Sequence, residues 1–406
     1  MTGAGAALEG VLRDHWGRLL ALLVAQYRRL DLAEDGLAEA FEAATRTWPR
    51  DGVPTNPPAW LLTAARRRIL DRLRAEAVAT RTLPRLAVEA ELTEEVQRVM
   101  ADTGEELQDE RLRLVLLCAH PALAPESGAA LTLRLVLGIS TADIARLFLV
   151  STPTMAARLT RARKNVAGAA FTVPSGAELE ARVDTAAQIA YLAFTAGYAP
   201  GSGADVVRAD LAGEAVRLVR VLREVAPGRP ELDALLALML LQHARRDARV
   251  DPDGGLVLLP AQDRSRWRGE EIAEAIALLT PLTDAPAAPY LLQALIAAEH
   301  AIAPTTTDTD WPRIAAHYRE LEELTGSPVV RLNRAVAVAE ADGPLAGLAL
   351  LEGLDLPGHR LPGARGELLL RAGRYDEARD AFDRAVGLCD HQAERHHLLT
   401  RRRQLD

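Results

Sequence analysis

Four cations, Arg158, Arg161, Arg163 and Lys164, fall between residues 152 and 167, and no carboxylate accompanies them. A helix face charged in this way attracts nucleic-acid phosphates by releasing their counterions. The preceding residues specify how such a helix would be presented. Gly138 follows an apolar run and can end a helix in the left-handed conformation. Ser140 is a good cap for a helix over 141–148, in which Ile144, Ala145 and Phe148 recur at helical spacing. Residues 149–151 make a short turn. Thr152 then serves as the next cap, with Pro153 at the first helical position, where its missing N–H costs nothing. Met155, Leu159, Ala162 and Val166 form a buried stripe behind the cations. Helix, turn, short helix, turn and basic helix make a helix-turn-helix, whose last helix enters the DNA major groove. Thr154, Ala157 and Arg158 lie near its N-terminus, where base edges are read, and Arg161 and Lys164 extend the basic face toward phosphates. A solvated basic helix on an ordinary helical domain is the alternative; the paired turns and caps argue for DNA.

Other chemistries find little support. There is no phosphate-cradling glycine loop of the Walker type, no dinucleotide fingerprint, no HExxH and no CxxC pair. Cys118 and His120 share a segment, but with two cysteines in the chain a four-ligand zinc site is not assembled, and a buried pair is the better reading. His391, His396 and His397 read as an exposed polar tail. Residues 197–205 form a Gly/Ser-rich loop between helices. No nucleophile–base pair is brought together by spacing. The expectation is a protein that is not an enzyme and needs no cofactor and no metal. Two cysteines give no disulfide framework and fit a reducing cytoplasm. The N-terminal residues lack a signal-peptide core and no run of about 18 apolar residues occurs, so neither export nor a membrane span is expected.

The elements that must position these residues are helical. Apolar residues make up 49% of the 406, yet aromatics only 4%, so the cores are built from Leu, Ala and Val. Ala and Leu are strong helix formers, which predicts an all-α chain. Charge is uneven: residues 1–170 carry 22 basic and 21 acidic side chains, residues 171–406 carry 26 and 35. The acidic back part is a poor DNA binder in its own right.

Periodicity divides the chain into residues 1–80, a linker over 81–109, the helix-turn-helix part over 110–170, and a helical array over 171–406. Within the first part, helices over 8–30, 32–47 and 59–77 are expected, with a Pro/Gly/Asn-rich loop over 48–58 that no helix crosses. The second carries the acids Glu34, Asp35, Glu39 and Glu42; the third carries Arg66, Arg67, Arg68, Arg72 and Arg74. In the array, helices pair over 184–198 with 209–225, 231–244 with 270–282, 290–303 with 311–324, 328–341 with 345–354, and 364–372 with 375–388. The last pair resembles a tetratricopeptide repeat, with Gly373 at the turn and Tyr375, Ala378, Phe382 and Ala385 buried. Stacked pairs make a curved surface for a partner. Residues 250–267 interrupt the array, and 256–259 read as a short strand or an extended loop.

Two separated motifs in the first 170 residues carry a resemblance. Asp31, Ala33, Glu34, Asp35, Glu39 and Phe41 on one helix, followed by Trp60, Leu61, Ala65, Arg66, Asp71, Arg72, Leu73 and Arg74, resemble domain 2 of extracytoplasmic-function factors of the sigma-70 family. Residues 110–168 resemble domain 4 of the same factors, and the whole chain resembles their subgroup with a long helical C-terminal extension. The resemblance implies a transcription initiation factor that binds core RNA polymerase and promoter DNA. It assigns polymerase contact to Asp31, Glu34, Asp35, Glu39 and Phe41. It assigns the melted minus-ten element to Asp51, Asn56, Arg66, Arg67, Arg72 and Arg74, with Trp60 read as core packing. It assigns the duplex minus-thirty-five element to Thr154, Ala157, Arg158, Arg161 and Lys164. The C-terminal array would regulate, or engage a further protein partner. The chain departs from the pattern at Ala38, Arg67 and Ala157, and Gly36 is expected to loosen its helix by about 1 kcal/mol relative to Ala. A helical-repeat interaction scaffold with a degenerate front half is the competing reading, and an enzyme built around residues 263–267 a distant third.

Overall fold

The computed structural model describes residues 3–80, 105–148, 150–198, 209–251, 257–389 and 392–405. The regular elements among them are helices and short 3-10 turns, apart from a lone bridge at Val250. The all-α expectation holds. Two compact units form, residues 1–193 with Glu224–Ala226 and the remainder from Phe194 onward. No helix among the described residues is long and apolar enough to cross a membrane.

The first unit opens with α1 (Gly3–Tyr27), α2 (Leu30–Asp51) and α3 (Pro57–Thr80). Leu20, Leu23, Leu37, Leu61 and Ile69 are fully buried between them. The α2 helix corrects the sequence reading, because it continues through Pro49 to Asp51. Proline in the last turn forfeits one hydrogen bond without breaking a long helix. Gly52, at φ +86°, ends the helix, with its N–H donating to the Trp48 carbonyl. The connecting loop therefore shrinks to residues 52–56. Gly36 is also explained differently. A Cβ there would lie 2.7 Å from Ile69 Cγ1 and 3.1 Å from the Ala65 carbonyl, so the missing side chain lets α2 and α3 approach closely.

Next come α4 (Glu105–Cys118), α5 (Pro125–Leu135), α6 (Thr141–Leu147) and α7 (Thr152–Val166), followed by α8 (Ala177–Tyr198). The linker expected over 81–109 lies largely outside the described residues. Helix α1 packs on α4 as well as on α2, and it meets the end of α5 at Gly17. A Cβ on Gly17 would clash with the Val136 carbonyl oxygen, a contact with backbone that no rotamer relieves. Gly17→Ala is expected to destabilise the first unit by about 2 kcal/mol. Denaturant unfolding checks this, and an unchanged midpoint would contradict the close approach.

The second unit holds α9 (Ala209–Val225), α10 (Pro230–His243), α11 (Gly269–Leu279), α12 (Pro289–Ile302), α13 (Trp311–Thr325), α14 (Pro328–Asp342), α15 (Pro344–Leu350), α16 (Arg360–Arg371), α17 (Tyr375–Leu388) and α18 (Gln392–Arg403). From α10 onward each helix packs on the next, most extensively α13 on α14 and α16 on α17. Small residues permit the crossings: a Cβ on Gly347 would meet the Ala335 carbonyl at 2.5 Å, and Gly366 lies against the Phe382 ring. Two sequence readings change here. His396 and His397, expected in an exposed polar tail, are exposed but stand on α18, which buries Leu398 against Phe382 and Ala385, and His391 lies outside the described residues. Tyr375, read as buried, is exposed. Within the insert, residues 259–261 form a 3-10 turn and not a strand; Leu256 lies outside the described residues.

Two histidines of this unit make it acid-sensitive. Burial, reinforced by Arg246 for His243 and by Arg245 for His300, pushes both down to about 4. An unfolded histidine titrates near 6.5, so between these values the unfolded chain binds the extra protons. Stability is therefore fully present above pH 6.5 and declines as pH falls toward 4. Going from pH 7 to 5 is expected to cost up to about 2 kcal/mol per histidine. Melting curves at the two values check this, and coincident curves would contradict it.

Candidate nucleic-acid interface

The helix-turn-helix is built by local rules. Leu137 and Ile139 donate to the Thr132 and Leu133 carbonyls, closing α5 across Gly138, which sits at φ +68°. Ser140 caps α6, its Oγ accepting from the Asp143 N–H at 3.1 Å. The cap of α7 is Ser151 and not Thr152; Ser151 Oγ accepts from the Thr154 N–H and lies 2.8 Å from Thr154 Oγ1. Thr152 is already the first residue of the helix. Met155, Leu159, Ala162 and Val166 are all buried, as their spacing predicts.

The opposite face of α7 is open. Thr154, Ala157, Arg161 and Lys164 are exposed, and Arg158 is half-buried with its guanidinium 5.7 Å from the Phe148 ring centre. Among the described residues, Arg158, Arg161 and Lys164 pair with no carboxylate. Arg163 turns the other way. Its Nε and Nη2 donate to Glu34 at 2.8 and 2.9 Å, and Arg134 donates to the same carboxylate at 2.7 Å. Glu34 is only 5% exposed. It ties α2 to both α5 and α7, and Arg134 also lies over the Trp16 ring of α1. Periodicity could not reveal this cluster, because its arginines stand 100 and 129 residues from Glu34.

The other acids assigned to α2 also have partners within the unit. Asp31 accepts two hydrogen bonds from Arg29, which hold its carboxyl below the usual range. Asp35 accepts from Arg72 at 2.7 Å, and Glu39 pairs with both Arg72 and Arg68. Phe41 is buried, with its ring 5.6 Å from that of Trp16.

Among the residues assigned to the minus-ten element, Asp51, Asn56, Arg67 and Arg74 are exposed. Asn56 Oδ1 accepts from the Ala59 N–H, capping the start of α3. Arg66 is buried and Arg72 is engaged with the α2 acids. Trp60 is half-buried and meets Trp48 edge-on at 5.7 Å. A cleft of about 170 Å³ opens beside Asn56, lined also by His15, Arg18, Leu19, Leu22, Pro58 and Ala59. Sequence reasoning missed His15 and Arg18 there, since nothing in the spacing of α1 points at the far end of a loop.

Cys118 is fully buried, and burial pushes its thiol up to about 12. His120 Nδ1 accepts from the Ala122 N–H in a tight turn.

Comparison with known proteins follows the same division. The family model described as Sigma-70 region 2 matches residues 11–78, and that described as Sigma-70, region 4 matches residues 113–166. A family of unknown function (DUF6596) matches residues 182–282. An uncharacterized protein of Rhizobium meliloti (strain 1021) is 42% identical over 398 residues, covering 95% of this chain and 92% of the relative. No solved structure matches the chain. With both sigma regions matched in order, and a similar protein aligned along nearly its whole length, the chain belongs to the sigma-70 family, a non-catalytic family, and carries an additional C-terminal domain of unknown function.

Proposed function

We propose that the chain is a promoter-specificity factor of the extracytoplasmic-function group, acting in the cytoplasm. Residues 1–80 would bind core RNA polymerase and hold the minus-ten element, and residues 110–170 would read the minus-thirty-five element. The observation that carries this reading is the open face of α7: Arg158, Arg161 and Lys164, without carboxylate partners among the described residues, project from the last helix of a correctly capped helix-turn-helix. Thr154, Ala157 and Arg158 would meet base edges, and the remaining cations would meet phosphates. In the first domain, Asp51, Asn56, Arg67 and Arg74 present exposed polar and basic groups, and Asn56 lines a cleft suited to an unstacked base. Arg66 and Arg72 would support that surface from behind.

Polymerase contact through Asp31, Asp35 and Glu39 would exchange their internal arginine partners for basic groups on the polymerase. That internal pairing is also what favours the second reading, an interaction scaffold whose front half has lost initiation. The acidic TPR-like array over 171–406 would modulate activity, either through a protein partner or by competing for the basic faces. The test is size-exclusion chromatography of the full chain with core RNA polymerase, with and without promoter DNA. Co-elution as a ternary complex is the expected result. Failure to co-elute with the polymerase would move the assignment to the scaffold reading.

A further inference from the structure

The C-terminal unit contains a cluster of arginines that the promoter-factor reading does not use. After α10, Arg245 and Arg249 both point an Nη2 at one neutral acceptor, the Gln242 carboxamide oxygen, with Arg249 at 2.9 Å. Two guanidinium groups therefore converge on a single point. Arg249 also lies 4.3 Å from the centre of the Tyr198 ring, and Arg245 lies 5.8 Å from that of Trp267. Arg264 also lies over the Trp267 ring, at 4.5 Å, and donates to the His300 and Ala303 carbonyls.

The charge here is not balanced. Among the described residues, neither Arg245 nor Arg249 pairs with a carboxylate. The two acids that act on neighbouring His243 are already engaged, Glu271 by Arg246 at 2.8 Å and Asp247 by Arg268 at 2.7 Å. Burial, and then the charge of Arg249, hold the Arg245 guanidinium down to about 9. His243 stays neutral and is held by the Tyr198 hydroxyl at 2.6 Å, so it adds no charge of either sign at neutral pH. Two buried donors, Arg249 Nε and Trp267 Nε1, have no acceptor among the described residues. Buried donors are almost always satisfied, and an orphaned pair beside uncompensated cations is the pattern left by a missing anion or water.

We propose that Arg245, Arg249 and Trp267 form a binding site for a small oxyanion, the phosphate or carboxylate group of a low-molecular-weight effector. Guanidinium forks bind such groups through paired, charge-assisted hydrogen bonds, which neutral Gln242 cannot replace. The stacked aromatic rings hold both guanidinium planes in place before the ligand arrives, so little side-chain entropy is lost on binding. The site lies within the region matched by the family of unknown function, and it goes beyond promoter recognition by giving the chain a chemical input.

Isothermal titration calorimetry on the full chain tests this, with inorganic phosphate, sulfate and malonate titrated separately against chloride at matched ionic strength. Saturable binding of phosphate or malonate is expected, with the preferred anion separating a phosphoryl from a dicarboxylate effector. Arg249→Gln and Arg245→Gln are each expected to weaken binding at least tenfold, while Arg220→Gln, an exposed arginine of the same unit paired with Glu274, leaves it unchanged. If either Gln variant fails to fold, Arg249→Lys keeps the charge but loses the fork and is expected to weaken binding as well. Absence of saturable binding to the unaltered chain would mean that water alone fills the site and would overturn the proposal. So would equal affinity in the Arg249 and Arg245 variants. Neither outcome depends on whether the chain binds polymerase.

Discussion

Glu34→Ala is expected to lower the stability of the first unit by about 3 kcal/mol. Glu34 is 5% exposed and receives three hydrogen bonds from Arg134 and Arg163. Taking the carboxylate away leaves two cations facing each other across a largely dry contact, which is the expensive way to break a buried ion cluster. The arginines keep side-chain exposures of 21% and 27%, so they recover part of their hydration, and the loss falls at the low end for such clusters. Glu34→Gln keeps the shape and is expected to recover part of the loss. The consequence reaches beyond stability, because Glu34 joins α2, in the region 2 match, to α5 and α7, in the region 4 match. Amide hydrogen exchange in α5 and α7 is expected to accelerate in the Ala variant. Unchanged melting and exchange would show that the cluster contributes nothing to holding these helices together. A double-mutant cycle with Arg163→Ala separates the pair from the shared network.

The second large effect concerns DNA. Replacing Arg158, Arg161 and Lys164 together with Ala is expected to weaken promoter binding on the order of 100-fold at physiological salt. The slope of log affinity against log salt is expected to fall by about 1.8, from the two lost phosphate contacts of Arg161 and Lys164 at about 0.9 each. These side chains pair with no carboxylate among the described residues, so stability is expected to change by less than about 0.5 kcal/mol. Arg163→Ala is the informative contrast. It belongs to the same run of cations but faces Glu34, so it is expected to cost stability and leave the salt slope unchanged. Fluorescence anisotropy across a salt series distinguishes the two. A slope that falls equally in both would contradict the orientation of α7.

Much of the local architecture was legible in the residues themselves. The stripe of Met155, Leu159, Ala162 and Val166, the left-handed Gly138 and the Ser140 cap follow from rules that operate within a few residues. The helices of the array follow from the same periodicity. The failures share a cause. Local chemistry predicts a loop from residue 48, because proline disfavours helix, whereas α2 tolerates Pro49 in its final turn. Gly36 looks like a weakness within one helix, and its role is visible only with Ile69 of the next helix beside it. Ser151 and Thr152 are equivalent caps in one dimension, and only the fold selects between them. Residues 392–403 look polar from composition, yet Leu398 is enough to dock α18 on α17. Of the site residues, Arg161 and Lys164 stand on an open face, as an interface needs. Phe41, Arg66 and Glu34 are buried, Glu34 beside arginines 100 and 129 places along the chain, a pairing that no spacing rule encodes.

The array adds a lesson about charge. Its net acidity suggested a surface that repels DNA, but net charge conceals local imbalance. Arg245 and Arg249 stand without carboxylate partners among the described residues inside a unit that is negative overall. Their neighbours Arg246 and Arg268 took the available acids.

The measurement that bears most directly on the central claim is run-off transcription by core RNA polymerase and the full chain from a promoter of its own gene neighbourhood. A specific transcript that depends on the chain, and that is lost when Arg158, Arg161 and Lys164 are replaced together, is the predicted result. Absence of any transcript, beside a positive control with another sigma factor on its own promoter, would contradict the account.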